Sequence, residues 1–174
     1  KNSRIDCFII TVGTPLNQDS KEPNIEYIKK ALDSFSHIYD GKQLIILRST
    51  VSVGTTRNVV LSKLSKMSKI KKEKVLISFC PERTIEGNAL NELVEIPQII
   101  GSNNQKSQVA AENFFKKITS SIIKVESLEA AELIKLFNNT YRDIHFSIGN
   151  YFNNIAQSFG ISGEDLIKVA NYNY

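Results

Sequence analysis

Leu44-Ile45-Ile46-Leu47-Arg48-Ser49-Thr50-Val51-Ser52-Val53-Gly54-Thr55 is the stretch whose reading decides the fold. A short apolar run enters a turn of hydroxyl residues and a glycine. Beyond the turn Val59, Val60, Leu64 and Met67 stand on one side of a predicted helix. Strand, polar turn and helix together form one unit of an α/β protein, and the pattern repeats on both sides. Upstream, Ile5–Val12 is an apolar run without alternation, the mark of a strand covered on both faces. After a polar loop, Asn24 precedes a helix with Ile25, Ile28, Leu32, Phe35 and Tyr39 at spacings of three or four, and Gly41 closes it. Downstream, Val75–Phe79 and the short Ile99–Ile100 read as strands. Val109, Phe114 and Ile118 mark a further amphipathic helix, and Ile122–Val125 is the last strand. Strands alternating with helices at this spacing predict a parallel α/β sheet.

From Ser127 the pattern changes. Helical periodicity runs without a breaker to Phe159, through Leu128, Leu133, Leu136, Tyr141, Ile144, Ile148, Phe152 and Ile155. About thirty residues at 1.5 Å each span roughly 45 Å, longer than a domain of this size, so part of the helix must pack on something else. Gly160 ends it, and Ser162 with Asp165 three residues on predicts a capped short helix to Val169. The division expected is residues 1–126 as the sheet domain and 127–174 as a long central helix opening a helical, dimer-forming part.

Composition narrows the function. The chain has 174 residues, is 41% hydrophobic and carries a net charge of +4. No apolar run approaches the ~18 residues of a membrane span, so no membrane partner is expected. The basic excess sits in Lys63, Lys66, Lys69, Lys71, Lys72 and Lys74. No aromatic residue interleaves with them as single-strand stacking requires, so a solvated helix end is the expectation and nucleic acid is not a predicted partner. Cys7 and Cys80 adjoin β-like runs and read as small buried hydrophobes in a reducing cytoplasm. His37 and His145 have no partner in sequence, and no metal-ligand spacing exists.

Three polar loops follow strands, at the edge where open parallel sheets place ligands. Thr14-Pro15 follows the first strand, and Thr14 offers a hydroxyl and backbone to a dinucleotide, or ends a strand and nothing more. Arg48 to Thr55 leads into a helix N-terminus, a natural site for an anionic or polar group, or a plain capping turn. Pro81-Glu82-Arg83-Thr84-Ile85-Glu86-Gly87 puts Glu82 at a strand end as a base or water holder. Arg83 there pairs with a phosphate, or neutralises Glu82 or Glu86. On the long helix Lys135, Asn139 and Arg142 fall within about one face. Glu129 and Glu132 are available to pair with the cations and make that face merely solvated. Alternatively, Lys135 and Asn139 hold a hydroxyl or carbonyl and Arg142 a phosphate or sugar oxygen.

Val12-Gly13-Thr14-Pro15, Ser49 to Thr55, Pro81 to Gly87 and Lys135-Leu136-Phe137-Asn138-Asn139-Thr140-Tyr141-Arg142, in this order, resemble the nucleotide-sugar 6-dehydrogenase family. The Pro-Glu-Arg turn and the Asn-Asn-Thr-Tyr-Arg run are similar to the UDP-N-acetylhexosamine branch, UDP-N-acetylmannosamine dehydrogenases especially, more than to UDP-glucose dehydrogenases. The resemblance implies a Rossmann-like NAD domain of which these residues form the second half. It implies NAD at Thr14 and Thr50, a UDP-sugar at Arg83, Thr84, Lys135, Asn139 and Arg142, and a homodimer. It also implies two hydride transfers through a cysteine adduct, with Lys135 and Asn139 at the reacting carbon and Glu82 assisting thioester hydrolysis. Departures are Gly13 and Ser52 for usual prolines, Arg48 for a usual lysine, and Tyr151 where an acidic residue is common. The family's glycine-rich loop lies before the point matching residue 1, and its nucleophilic cysteine after the point matching residue 174. Cys80 is not that cysteine, and the 174 residues alone are expected to be inactive. UDP-glucose 6-dehydrogenase is the alternative within enzymes, and a non-catalytic α/β dimerisation module the alternative outside them.

Overall fold

Alternate residues of the strand Leu44–Leu47 face two different hydrophobic clusters, and this accounts for its unbroken apolar sequence. Ile45 and Leu47 pack with Ile28, Leu32, Val60, Leu64 and Leu128 on one face. Leu44 and Ile46 pack with Ala111 and Phe115 on the other. The computed structural model describes residues 5–84, 87 and 89–173. Its strands are β1 (Cys7–Ile10), β2 (Leu44–Leu47), β3 (Ile77–Phe79), β4 (Gln98–Ser102) and β5 (Ile122–Val125), arranged in one sheet in that order. Helices α1 (Glu26–Ser34) and α2 (Ser62–Ser68), the latter entered through a π-helical stretch Thr56–Leu61, cover one face. Helix α4 (Gln105–Phe115) covers the other, capped by Asn104, whose Oδ1 accepts from Ser107 N at 2.9 Å.

The parallel reading holds for β1–β2, β2–β3 and β4–β5, while β4 runs antiparallel to β3. A parallel return needs a crossover packed on a sheet face. Among its described residues, the connection from β3 to β4 carries only α3 (Ala89–Glu95), a seven-residue helix that buries none of its residues. It therefore stays at the edge where β3 ends, and β4 starts from that same edge. On the edge strand β1, Phe8 and Ile10 join the α1 side and Cys7 the α4 side, while Ile9 is left 44% exposed. Helix α1 stops at Ser34, short of the predicted end. Phe35 and Tyr39 remain buried through a turn in which Ile38 N and Tyr39 N both donate to Phe35 O.

Helix α5 (Leu128–Ser158) is unbroken over 31 residues, about 46 Å of axis. Its first turns lie on β4 because Gly101 has no side chain. A Cβ there would sit 2.2 Å from Ser127 O and 2.7 Å from Ala131 Cβ. The chain divides into two compact units between Lys135 and Leu136, within this helix. The second unit holds the remainder of α5 and α6 (Gly163–Ala170), whose predicted cap forms, with Ser162 Oγ accepting from Asp165 N at 3.4 Å. An apolar cavity of about 280 Å³ opens there, lined by Phe152, Ile155, Phe159, Leu166 and Ile167. Among the described residues no helix is long and apolar enough to cross a membrane, and no group of three or more His, Cys, Asp or Glu side chains could hold a metal ion.

Candidate functional site

The carboxyl ends of β1, β2 and β3 bring the three predicted loops together. Thr14, just past β1, donates its hydroxyl to Thr50 O at 2.5 Å, and Ser49 donates to Val12 O at 2.6 Å. The two loops are thus tied to each other before any ligand arrives. Gly13 is exposed, and a Cβ placed on it would meet nothing within 4 Å, so the backbone above β1 is open.

The predicted anion site at the start of the following helix is filled by the protein itself. Glu132 of α5 is fully buried. Its Oε2 accepts from Gly54 N at 2.6 Å, and its Oε1 accepts from Thr56 N at 2.8 Å and Thr56 Oγ1 at 2.5 Å. Gly54 reaches this geometry at φ +86, a left-handed conformation that glycine adopts without strain. One turn earlier, Glu129 takes Arg57 in a two-pronged contact, Nε at 2.5 Å and Nη2 at 3.0 Å. Both acids therefore serve the α2 side of the structure. The hydrogen bonds described for them run to Gly54, Thr56 and Arg57, where the solvated-face reading paired them with the cations of α5.

At the end of β3, Glu82 is 42% exposed and engaged through both oxygens. Oε1 accepts from Arg83 N at 2.9 Å and Thr84 N at 3.0 Å, and Oε2 is ion-paired with Arg48. Burial works to raise its pKa. The Arg48 hydrogen bond, the Thr84 N–H and the Arg48 charge outweigh burial, and the carboxyl is held below its ordinary value. The Arg83 guanidinium donates to Pro97 O at 3.1 Å, bracing the return to β4. Glu86, the other predicted partner of Arg83, lies outside the described residues. Lys135 Nζ hydrogen-bonds the main-chain oxygen of Glu82, which brings the base of α5 to this loop. Asn139 and Arg142 belong to the second unit, where Arg142 Nη2 donates to Asn139 Oδ1 at 3.4 Å. Cys80 is fully buried, and burial pushes its thiol far above the ordinary range. Cys7 is pushed up to about 11 by burial as well. Neither is poised as a thiolate nucleophile.

Two roles escaped the sequence. Arg48 and Gln98 form a buried pair 50 positions apart, with Arg48 Nη1 donating to Gln98 Oε1 at 2.9 Å. Glu132 was visible only as a charge on a helix. A charged residue immediately after a fully buried strand, as Arg48 is, was the available signal for the first; the second had none.

An open α/β sheet with convergent polar loops at the carboxyl ends of its strands defines a dinucleotide-binding domain of Rossmann type. Residues 1–119 match the NAD binding domain of the UDP-glucose/GDP-mannose dehydrogenase family, and residues 129–174 match that family's central domain. The chain belongs to this family. It is 35% identical over 173 residues to the UDP-N-acetyl-D-mannosamine dehydrogenase of Methanocaldococcus jannaschii, covering 98% of this chain and 39% of the relative. Against the enzyme of that name from Methanococcus vannielii it is 36% identical over 174 residues, covering 98% and 39%. The solved UDP-D-ManNAc dehydrogenase structure from Pyrococcus horikoshii superimposes with a TM-score of 0.86 at 29% identity, over 95% of this chain and 39% of that one. The chain thus spans about two fifths of the length of the relatives it matches. NAD is the cofactor of the domain. The open backbone at Gly13 and the Thr14 hydroxyl held on the Thr50 main-chain oxygen fit a planar polar ring laid on this edge. A cofactor phosphate does not fit at Thr56, because Glu132 holds those donors.

Proposed function

We propose that the whole protein to which this chain belongs oxidises the C6 alcohol of a UDP-N-acetylhexosamine, UDP-N-acetylmannosamine in the first place, to the uronic acid. The supporting observation is the hydrogen bond from Lys135 to Glu82 O, which joins a helix cation to the strand-end loop beside Thr14 and Thr50. Residues 1–126 supply the second half of the NAD domain, and 127–174 the central helix and the start of a dimer-forming part.

NAD bound at this edge would supply the hydride acceptor for each of two successive oxidations at C6. Thr14 and Thr50 hold it by hydroxyl and main chain. Lys135 stabilises charge on the C6 oxygen, with Asn139 donating a second hydrogen bond. Arg83, Thr84 and Arg142 hold the nucleotide sugar. The second oxidation proceeds through an adduct with a cysteine other than Cys7 or Cys80. Glu82 then orients the water that releases the acid. A second copy of the protein packs on the apolar surface of α5, where Phe137, Tyr141, Tyr151 and Phe152 are all more than half exposed. The free cysteines agree with a cytoplasmic location.

The test compares kcat/KM of the full-length enzyme for UDP-N-acetylmannosamine, UDP-N-acetylglucosamine and UDP-glucose. A guanidinium at Arg83 can hold carbonyl or phosphate oxygens, and a sugar without the amide leaves such groups unpaired. Preference for the mannosamine is expected. Preference for UDP-glucose moves the protein to that branch, and binding of neither NAD nor any UDP-sugar makes it a non-catalytic dimerisation module.

A further inference from the structure

We propose that Arg48 is a positioning residue for Glu82, holding it as a fixed carboxylate at the mouth of the site. The inference rests on the reading of Glu82 as the water-orienting group. Arg48 is 8% exposed and is braced from three sides. Nη1 donates to Gln98 Oε1 at 2.9 Å, Nη2 pairs with Glu82, and Cζ lies 5.3 Å from the centre of the Phe115 ring. Gln98 is itself buried and locked, its Nε2 donating to Ile99 O at 2.8 Å and Pro81 O at 3.4 Å. The amide cannot turn without breaking bonds to both β4 and the Glu82 loop, so the guanidinium has one orientation.

Arginine is required for this arrangement. Its planar fork reaches an amide oxygen and a carboxylate at once, in directions set by the ring of atoms. A lysine, usual at this position by resemblance, offers a single point charge on a flexible stem. Among the described residues, the other charged groups facing Glu82 are Arg83 in its own loop, Lys135 on α5 through the main-chain oxygen, and Glu92 on α3, which lines the same small cleft. Arg48 reaches the Glu82 carboxylate from a buried position. Glu82 thus has one oxygen on Arg48 and the other on two backbone N–H groups, with its outer surface open. Such a group accepts a hydrogen bond from water and resists taking the proton. It orients the attacking water and leaves proton transfer to another base.

The direct test is a titration of the 174-residue chain by carboxyl and guanidinium NMR, with Glu82 assigned through Glu82→Gln. The Glu82 carboxyl is expected to titrate below 4.5, and the Arg48 Nη resonances to shift with the same midpoint. In Arg48→Gln the Glu82 midpoint should rise by about one unit or more, a tenfold change in proton affinity. In Arg48→Lys the rise should be smaller. Absence of co-titration in the wild-type chain overturns the proposal without reliance on any variant folding. A second measurement separates it from the reading beneath it. In the full-length enzyme Arg48→Lys should move the acid limb of kcat upward while leaving the KM for NAD unchanged. If co-titration is seen and that limb stays in place, Glu82 is paired as described and the water-orienting role is what fails.

Discussion

Glu132 caps Thr56 twice, through the amide at 2.8 Å and the hydroxyl at 2.5 Å, from a helix 76 positions further along the chain. With Gly54 N at 2.6 Å, the carboxylate meets three donors, and its charge is felt by the Arg57 guanidinium. Helix N-termini favour negative charge, and here the charge comes from the neighbouring element of the fold. Hydrogen bonds to a charged group contribute about 1.5–3 kcal/mol each, and buried donors left without a partner add to the loss. Glu132→Ala should therefore lower the unfolding free energy of the chain by about 3 kcal/mol or more in urea denaturation. Glu132→Gln should recover part of this, since one amide oxygen remains but its NH₂ faces a donor. A loss below about 1 kcal/mol for the alanine variant would mean that water replaces the carboxylate.

Stability should fall as the solution is acidified through the carboxylate range. Glu129 is held below its ordinary 4.5 by the Arg57 hydrogen bonds first, against the opposing effect of burial, and Glu82 lies below it too. For a depressed carboxylate the unfolded chain binds the proton first. The contribution is complete above the unfolded value and is lost as pH drops through the folded one. Denaturation midpoints measured between about pH 6 and pH 3 should decline, and Glu129→Gln should flatten the slope. An unchanged slope in Glu129→Gln would remove Arg57–Glu129 from the account.

Gly101→Ala should be costly although glycine here has an ordinary backbone conformation. The new methyl would need the first turn of α5 to move away from β4, and overpacking of this kind costs about 1–3 kcal/mol. Because that turn leads directly to Glu132, hydrogen exchange of the Thr56 amide should quicken in the variant. Thermal melting together with exchange at Thr56 checks both.

In the full-length enzyme, Lys135→Ala should lower kcat on the order of 10²-fold, as for loss of one donor to a developing oxyanion. Its effect on sugar affinity should be smaller. Arg142→Ala should act in the opposite sense, raising KM with kcat largely kept, because it supplies uniform binding. Steady-state kinetics separate the two. Wild-type behaviour in both variants would leave the α5 cations without a role in the reaction.

Most of the sheet was legible because burial on both faces writes itself as uninterrupted apolar sequence, as in Leu44–Leu47. Local hydrogen bonds were legible as well, such as Ser162 capping at Asp165 three residues on. Helix α3 was not, since it buries nothing and therefore carries no periodicity. The reversal of β4 was hidden for the same reason, because strand direction depends on how the connection packs and leaves no mark on Gln98–Ser102 itself. At the site, loop positions followed from the strand ends. Which side chain meets which did not: Arg48–Gln98, Glu132–Thr56 and Thr14–Thr50 join residues 36 to 76 apart. Charge on a helix face announces a partner without naming it, and Glu129 and Glu132 look inward to α2 where the local spacing pointed to Lys135.

The antiparallel entry of β4 also bears on how such a site can diversify. The excursion that leaves at Pro81 and returns at Gln98 has its two ends stitched together, Gln98 Nε2 on Pro81 O and Arg83 on Pro97 O. Between these ties, α3 contributes no buried residue to the core. Helix α3 is the exchangeable part of this excursion. Side chains on α3 can be exchanged without touching the core while Arg48, Glu82, Arg83 and Thr84 keep their places, so that selectivity for the ligand can drift independently of the scaffold that holds it.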